Sequence, residues 1–258
     1  MPSFVDPPAR ERIIVALDVP TVDEALRIVE RLDNVSFFKI GWQLFWACVT
    51  AGSLPDLLKG LHRQGRKVFI DLKVPPDIEN TIGSMIGDLT EMNAKSETNV
   101  KFLTLNEQMP IKAIGVARAA RGSEAEPKLL MVPYLSSLDR QDMGEIYGRN
   151  PVEFESFLLD RAETAITAGC DGLIASGDAI ALFRQRYPKP EVIIVSPGIR
   201  PVGASHDDHK RFTTPTQAVK AGADYLVVGR PILKDQNPHD AANRIIEEID
   251  VASRSTAH

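Results

Sequence analysis

Short apolar runs rich in β-branched residues alternate along the chain with longer stretches whose apolar positions recur at helical spacing. The short runs are continuously apolar, which is typical of strands buried on both faces of a parallel sheet. Eight runs of this kind predict eight strands. They are IIVALDV (13–19), SFFKIG (36–41), KVFIDLK (67–73), NVKFLTL (99–105), KLLMVPYL (128–135), DGLIAS (171–176), EVIIVSP (191–197) and the run at 224–229.

Helical patterns between these strands indicate the fold class. Eight βα units in 258 residues predict an α/β fold, a single-domain (β/α)8 TIM barrel over residues 1–258. Residues 1–11 are expected to form a polar arm, and residues 251–258 a frayed tail. An open doubly wound sheet is the alternative, but it requires a glycine-rich turn after the first strand. PTVDEA (20–25) follows instead, without glycine.

Composition narrows the class of protein. A formal net charge of -5 with scattered basic residues argues against nucleic acid as a partner. No segment has the length and apolar character of a membrane span, and the N-terminus lacks the pattern of a secretory signal. The two cysteines, Cys48 and Cys170, are far apart and do not suggest a disulfide framework. We therefore expect a cytoplasmic protein with no membrane partner.

Polar residues at the predicted strand ends are the candidates for chemistry, because TIM barrels carry their active sites at the carboxyl ends of the strands. They are Asp18, Lys39, Asp71, Lys73, Asn106, Ser136, Ser176, Arg200 and Arg230. The first four belong to the first three strands and predict an alternating acid–base cluster. A purely structural ring of ion pairs is the alternative interpretation.

A second group of motifs predicts a phosphate site. SPGIRP (196–201) and VVGRPI (227–232) follow strands seven and eight, where barrels commonly bind phosphate. Gly198 and Gly229 allow close approach of the backbone to an anion, and Arg230 offers a two-pronged donor. Alternatively, the glycines serve turns and Arg230 pairs with a carboxylate.

Two further patterns have ordinary explanations. HDDH (206–209) has the residue types of a metal site, but four adjacent loop residues rarely direct all their ligands to one point. We interpret them as solvated loop charges and predict no metal site. Trp42 and Trp46, one helical turn apart, are interpreted as helix packing.

Taken together, the motifs resemble the orotidine 5'-monophosphate decarboxylase family, in its bacterial type. The resemblance covers most of the chain, and its motifs follow the family order. They are ALDV (16–19), KIG (39–41), DLK (71–73), DIENT (77–81), SPGIRP (196–201) and TPTQAVKAGADYLVVGRPI (214–232).

The resemblance implies a carbon–carbon lyase that decarboxylates orotidine 5'-monophosphate to uridine 5'-monophosphate (UMP), in pyrimidine biosynthesis, without metal or cofactor. The implied catalytic residues are Lys73, the proton donor to C6, with Asp71, Asp77 and Lys39. The implied substrate-binding residues are Asp18, Thr81, Ser136, Pro197, Gly198, His209, Gly229 and Arg230. Asp77 and Thr81 match residues that reach a neighbouring subunit's site, so the resemblance also implies a homodimer with shared active sites.

Three positions depart from the family pattern. VPP (74–76) places three residues between Lys73 and Asp77 where the family has two. Either a bulge absorbs the extra residue, or Asp77 is displaced. His209 occupies a lid position that is commonly glutamine, and Asn106 ends the fourth strand where the family has a histidine.

Two alternative functions therefore stay open. One is a related sugar-phosphate decarboxylase or synthase that uses magnesium, although those enzymes lack the turn found in SPGIRP (196–201). The other is a nucleotide-binding protein whose catalytic array is impaired by the insertion at residues 74–76.

Overall fold

The computed structural model describes residues 7–136, 138, 141–148, 150, 153–201 and 213–256. Within these ranges, eight parallel strands pair in chain order, and the eighth closes on the first. They are β1 Ile13–Ala16, β2 Phe37–Gly41, β3 Lys67–Val74, β4 Val100–Asn106, β5 Lys128–Val132, β6 Gly172–Ile174, β7 Ile193–Ser196 and β8 Tyr225–Val228. The predicted (β/α)8 barrel is confirmed.

Helices follow the strands and cover the outside of the barrel. The first six are α1 Ala9–Arg12, α2 Val22–Arg31, α3 Trp42–Ala51, α4 Leu54–Arg63, α5 Glu79–Ala94 and α6 Ile111–Arg121. The next six are α7 Asp142–Tyr147, α8 Phe154–Ala168, α9 Ala179–Arg186, α10 Pro215–Lys220, α11 Arg230–Leu233 and α12 Pro238–Thr256. None of the helices within the described ranges combines the length and apolar character of a membrane span.

The core has two separate parts because each strand buries both of its faces. The outward residues pack against the helices in one large apolar cluster. The inward residues fill the barrel lumen with a smaller cluster that includes Phe37, Phe69 and Phe102. Phe102 lies 5.2 Å from Phe37 and 5.0 Å from Tyr225, measured between ring centroids. These rings form a solid floor beneath the carboxyl ends of the strands.

The frayed tail predicted for residues 251–258 is wrong for the part that is described. The last helix, α12, continues to Thr256. Ala252 is buried in the apolar core, and the guanidinium of Arg12 donates to Ser253 Oγ over 2.6 Å. Packing and this hydrogen bond stabilise the final turns, which their polar composition alone would not predict.

The described part of the polar arm predicted for residues 1–11 includes most of a short helix. Residues 9–12 form the short helix α1 directly before β1. Glu11 is anchored by the ammonium of Lys67 at 2.7 Å, which lowers the pKa of this carboxyl. A charge-assisted contact to β3 therefore gives order to a segment that has little apolar character of its own.

Two ion pairs brace the amino-terminal end of the barrel. Asp224, just before β8, accepts hydrogen bonds from Arg184 Nη2 (2.6 Å) and from the N–H of Ile194 (2.7 Å). Asp171, just before β6, is paired in the same way with Arg121. Each aspartate joins a helix to the second strand that follows it in the chain, α6 to β6 and α9 to β8. This end of a TIM barrel generally serves stability.

Replacing Asp224 by alanine is expected to lower the free energy of unfolding by about 3–5 kcal/mol, because it leaves a mostly buried guanidinium without its carboxylate. The side chains of Asp224 and Arg184 are 6% and 14% exposed. Urea denaturation followed by circular dichroism measures the change. Asp250→Ala is the matched control: it removes an exposed pair with Arg254 and should cost less than about 1 kcal/mol. Equal effects of the two substitutions would contradict a bracing role for Asp224.

Candidate active site

The charged residues of the barrel mouth follow directly from strand periodicity. Successive inward positions along a strand are two residues apart. Phe37 and Phe69 belong to the floor of the lumen, so Lys39 and Asp71 are the next inward positions on their strands. The pairing register places Lys39 beside Phe69, two residue pairs below Gly41 and Asp71. The sequence thus directs a cation and an anion into the same space.

Four charged side chains meet at this end of the barrel. The ammonium of Lys39 lies 2.9 Å from Oδ1 of Asp18 and 3.6 Å from Oδ2 of Asp71. The ammonium of Lys73 lies 2.8 Å from the other oxygen of Asp71, Oδ1. The side chain of Lys39 is 9% exposed, that of Asp71 15%, and that of Lys73 32%. The structure brings these predicted residues together in alternating order, with Lys73 the more accessible of the two lysines.

The charge of Asp71 is decided by competing effects. Burial alone would raise the pKa of this carboxyl, since it disfavours the charged form. The ammonium groups of Lys39 and Lys73, together with hydrogen bonds from Lys73 and Thr104, outweigh burial and lower the pKa below its ordinary value of 3.8. Asp71 is therefore a carboxylate at neutral pH.

A glycine makes room for the buried ammonium. A Cβ added to Gly41 would lie 2.8 Å from Nζ of Lys39 and 3.2 Å from Oδ1 of Asp18. The first contact is too short for a real Cβ, so Nζ would have to shift from its place in the ion pair with Asp18. The glycine of the KIG motif is thus needed for close approach of a side chain, because its own φ of -99° is open to any residue.

Strand β3 bulges where its charged residues lie. Ile70 pairs with Leu103 and Val74 pairs with Leu105, so three residues of β3 face one residue of β4. Lys73, within the bulge, has a φ of +47°, which is unusual for a residue with a side chain. The bulge precedes Pro75 and Pro76, so the contact between Asp71 and Lys73 forms upstream of the inserted residue.

The single residue opposite the bulge is Thr104, which the sequence analysis missed. Its side chain is fully buried. Its Oγ1 accepts the backbone N–H of Lys73 (2.8 Å) and donates to Oδ1 of Asp71 (3.0 Å). Strand periodicity does indicate that Thr104 faces the lumen, because it lies two residues after the inward-facing Phe102. Periodicity does not indicate that it contacts a bulge in β3.

A cavity of about 250 Å³ opens above the charged cluster. Nine of the twelve predicted site residues line its wall. They are Asp18, Lys39, Asp71, Lys73, Ser136, Pro197, Gly198, Gly229 and Arg230. Apolar residues from five strands line the rest: Ala16, Phe69, Val132, Ile174 and Val227. The lining thus combines charged and polar groups with an apolar surface.

Two guanidinium groups mark another part of this cavity. Arg200 and Arg230 both line it, and Arg200 was predicted at a strand end without a binding role. Burial, and after it the positive charge of Arg230, lowers the pKa of Arg200. Gly198, between the end of β7 and Arg200 in the chain, has a φ of +76°, which favours glycine. Two enclosed like charges create a strong preference for an anion between them.

Several predicted residues lie away from this cavity. Asp77 and Thr81 are exposed and do not line it in the described chain. Oδ1 of Asp77 accepts the N–H of Ile78 (2.7 Å), so its role in a second subunit's site stays a prediction. Ser176 lines a separate groove between α8 and α9. His209 lies outside the described residues.

The end of β4 also differs from the expected arrangement. Asn106 was a candidate strand-end residue, but its Oδ1 accepts the N–H of Gln108 (2.9 Å) and it is not among the described residues that line the cavity. The following residue, Glu107, is buried and accepts a hydrogen bond from the hydroxyl of Tyr147. This part of the sequence therefore joins β4 to α7 rather than contributing to the cavity.

The interpretation of Trp42 and Trp46 as helix packing is wrong for the single chain. Their side chains are 52% and 62% exposed. Trp42 Nε1 donates to the carbonyl of Leu72 over 2.8 Å, which places this ring beside the bulged strand. Large exposed apolar residues also precede α5 and begin α6, at Ile78 (68%) and Ile111 (58%). These residues follow three adjacent strands, β2 to β4.

Comparison with known proteins supports a specific family. The model described as "Orotidine 5'-phosphate decarboxylase / HUMPS family" matches residues 11–245. The chain is 41% identical over 245 residues to an orotidine 5'-phosphate decarboxylase of Rhodopseudomonas palustris (strain BisB5), covering 95% of this chain and 97% of the relative. It is also 41% identical to one from Afipia carboxidovorans, covering 94% and 96%.

Solved structures show the same relationship. The crystal structure of orotidine 5'-phosphate decarboxylase from Lactobacillus acidophilus is 28% identical in sequence, with a TM-score of 0.74. The match covers 93% of this chain and 99% of that one. The similarity therefore extends over the whole barrel, including the strand ends that carry the charged cluster and the two arginines.

Replacing Arg230 by alanine is expected to weaken binding of ribose 5-phosphate by on the order of tenfold to a hundredfold, since one charge-assisted hydrogen bond is lost. Isothermal titration calorimetry measures the affinity, and added salt should reduce the difference. Arg186→Ala is the control, because Arg186 is exposed on α9 and pairs with Glu163 at 2.9 Å. Unchanged affinity in the Arg230 variant would place the anion site elsewhere.

Proposed function

The chain belongs to the orotidine 5'-phosphate decarboxylase / HUMPS family, and we propose that it converts orotidine 5'-monophosphate to UMP without metal or organic cofactor, with Lys73 as the proton donor to C6. The observation that carries this proposal is the placement of Asp71 and Lys73 in the same cavity as Arg200 and Arg230. A nucleoside monophosphate has an anionic phosphate and a reactive ring at opposite ends, and the cavity offers complementary groups for both.

The substrate is oriented by groups along the cavity wall. Arg230 and Arg200, with the turn at Pro197 and Gly198, receive the phosphate. Asp18 is exposed enough to accept hydrogen bonds from ribose hydroxyls while it pairs with Lys39. The hydroxyl of Ser136 contacts the pyrimidine, and the apolar wall packs against the face of the ring. This orientation directs C6 towards Lys73.

Bond cleavage places negative charge where the protein has a fixed positive one. The bond between C6 and its carboxylate breaks, its electron pair stays on C6, and CO2 leaves. That pair lies in the plane of the ring and is not delocalised into the π system. The ammonium of Lys73 stabilises the developing charge and then transfers a proton from Nζ to C6, giving UMP. Water returns the proton to Lys73.

Asp71 and Lys39 support this step without reacting. The carboxylate of Asp71 orients the Lys73 ammonium, and Lys39 compensates the charge of Asp71 from the opposite side. The array is therefore in place before substrate arrives, so little reorganisation accompanies the reaction. The phosphate is remote from C6, and its binding free energy serves to position the ring.

We also propose that the active protein is a homodimer whose sites are shared. The exposed apolar residues Trp42, Trp46, Ile78 and Ile111 offer a surface for a second copy. A salt bridge of 2.9 Å between Lys112 and Glu79 joins the starts of α5 and α6, directly after two of these residues. The surface adjoins the mouth of the barrel, and Asp77 and Thr81 lie in the same region, exposed to a partner.

A cytoplasmic location is proposed on the state of the cysteines. Cys48 and Cys170 are both buried and unpaired. Burial, with the charge of Asp171, raises the pKa of Cys170 to about 12, so this thiol stays protonated and unreactive. Neither cysteine forms a disulfide. This usage is typical of proteins in a reducing compartment.

The proposed reaction is tested by following orotidine 5'-monophosphate through the ultraviolet absorbance of its pyrimidine ring. We expect turnover that is unchanged by EDTA and that falls by at least about 10³-fold in Lys73→Ala, since both charge stabilisation and proton transfer are lost. Lys95→Ala is the control, because Lys95 is exposed at the end of α5, pairs with Glu91 and does not line the cavity.

Three results would contradict the proposal in different ways. Turnover that EDTA abolishes would favour the magnesium-dependent sugar-phosphate enzymes of the same suprafamily. A folded protein that binds UMP without turning over the substrate would favour a nucleotide-binding function with an impaired array. Full activity of Lys73→Ala would remove Lys73 from the proton-transfer step.

Shared sites are tested by mixing two inactive variants. When Lys73→Ala and Asp77→Ala subunits are exchanged, each mixed dimer has one intact site, so about a quarter of the wild-type activity should return. Mixing Lys73→Ala with Asp18→Ala is the control, because Asp18 and Lys73 belong to the same subunit's cavity and no intact site forms. Equal recovery in both mixtures, or recovery in neither after exchange is verified by mass spectrometry, would contradict the shared site.

A further inference from the structure

Thr104 on β4 contacts both charged residues of the β3 bulge, Asp71 and Lys73. It is the single β4 residue between Leu103 and Leu105, and the three bulged residues of β3 lie opposite it. Its side chain has no exposed surface. A buried hydroxyl requires hydrogen-bond partners, and here both partners belong to the bulge.

The two hydrogen bonds of Thr104 join a backbone to a charge. The hydroxyl oxygen accepts the N–H of Lys73 at 2.8 Å, and its proton is directed to Oδ1 of Asp71 at 3.0 Å. The same carboxylate oxygen accepts the ammonium of Lys73 at 2.8 Å. The side chain of Lys73 therefore binds Asp71 directly, and its main-chain N–H is linked to the same carboxylate oxygen through the hydroxyl of Thr104.

The backbone of Lys73 needs such a tie. Its φ of +47° is a conformation that residues with a side chain avoid unless surrounding contacts impose it. Val74, directly after the bulge, is buried and pairs with Leu105, whereas Pro75, Pro76 and Asp77 beyond it are exposed. Within the bulge itself, the hydrogen bond from the Lys73 N–H to Thr104 opposes relaxation of the backbone.

We propose that Thr104 is a positioning residue of the reaction, which fixes the β3 bulge so that the Lys73 ammonium is aimed at the reacting carbon. This inference rests on the proposed function for its kinetic consequence. Thr104 does not line the cavity and does not touch substrate. Its effect is therefore expected on the chemical step and not on nucleotide affinity.

Substitutions of Thr104 separate its hydroxyl from its volume. Thr104→Val keeps the shape and removes both hydrogen bonds, and we expect kcat to fall on the order of tenfold to a hundredfold through misplacement of Lys73. The KM for orotidine 5'-monophosphate and the Kd for UMP should both stay within about threefold of wild type, because ground-state binding is unchanged. Thr104→Ser keeps the hydroxyl and should restore kcat to within about threefold.

A buried threonine elsewhere provides the matched control. Thr90 is also buried, and its hydroxyl donates to the carbonyl of Ile86 within α5 at 2.8 Å. Thr90→Val should leave kcat and KM unchanged. Circular dichroism verifies folding of all variants, and Thr104→Cys, of similar size but a weak hydrogen-bonding group, provides a second test if Thr104→Val does not fold. We expect its kcat to lie between those of the serine and valine variants.

A readout that needs no turnover separates this inference from the proposed function. Asp71 is faced by Lys39 from β2, by Lys73 from its own strand and by Thr104 from β4, with Asp18 beyond Lys39. The Thr104 hydrogen bond favours the charged carboxylate, so its loss in Thr104→Val raises the pKa of Asp71. Carbon-13 NMR of the carboxyl measures this shift, and Thr104→Ser should not show it.

The outcomes are distinct. Inactive wild-type protein would overturn the proposed function, and the NMR titration would then decide the role of Thr104 by itself. A valine variant with wild-type kcat, or with the small effect of Thr90→Val, would overturn the inference. A raised KM with unchanged kcat would also overturn it, since that result indicates a binding role.

Discussion

The structure of the barrel mouth depends on keeping one enclosed carboxylate charged. Burial opposes the charge of Asp71, and two ammonium groups and a hydroxyl proton offset that cost. Lys39 comes from β2, Lys73 from the same strand as Asp71, and Thr104 from β4, so the charge of Asp71 also fixes the relative placement of β2, β3 and β4. Gly41 leaves the space that Lys39 needs, and the β3 bulge returns Lys73 to the carboxylate that lies two residues before it. Removing either lysine would leave the buried charge of Asp71 less compensated.

The two ends of the barrel divide stability from chemistry. At the amino-terminal end, Asp171 and Asp224 pair with arginines that are mostly buried and also accept backbone N–H groups, which leaves them fully committed to structure. At the carboxyl end, Lys73 is a third exposed, and the guanidinium groups of Arg200 and Arg230 lie close enough to repel each other. Both guanidinium groups line the cavity, where an anionic ligand would offset the repulsion between them. The aromatic floor of Phe37, Phe69, Phe102 and Tyr225 separates the two regions.

Much of this arrangement could be predicted from the sequence because it follows from periodicity. Continuous apolar runs indicate strands, and the rule that barrel chemistry lies at strand ends selects Lys39, Asp71 and Arg230. Periodicity does not report register or exposure. The bulge at residues 71–73 changes which residues face β4, so the contact of Thr104 could not be predicted from the pattern.

The exposure of Trp42 and Trp46 could not be predicted for a related reason. An apolar residue on a helix indicates that the residue makes a contact, but not whether that contact is within the same chain. The order of residues 251–256 depends on Arg12, which is distant in sequence.

The most direct measurement is a crystal structure of the protein with UMP bound. We expect the phosphate between Arg200 and Arg230, the ribose beside Asp18, and C6 of the pyrimidine within about 3.5 Å of the Lys73 ammonium, a distance that permits proton transfer. We also expect Asp77 of a second copy at the rim of the same cavity. A nucleotide bound in the reverse direction, or with its pyrimidine outside the cavity, would contradict the assignment of the charged cluster to decarboxylation.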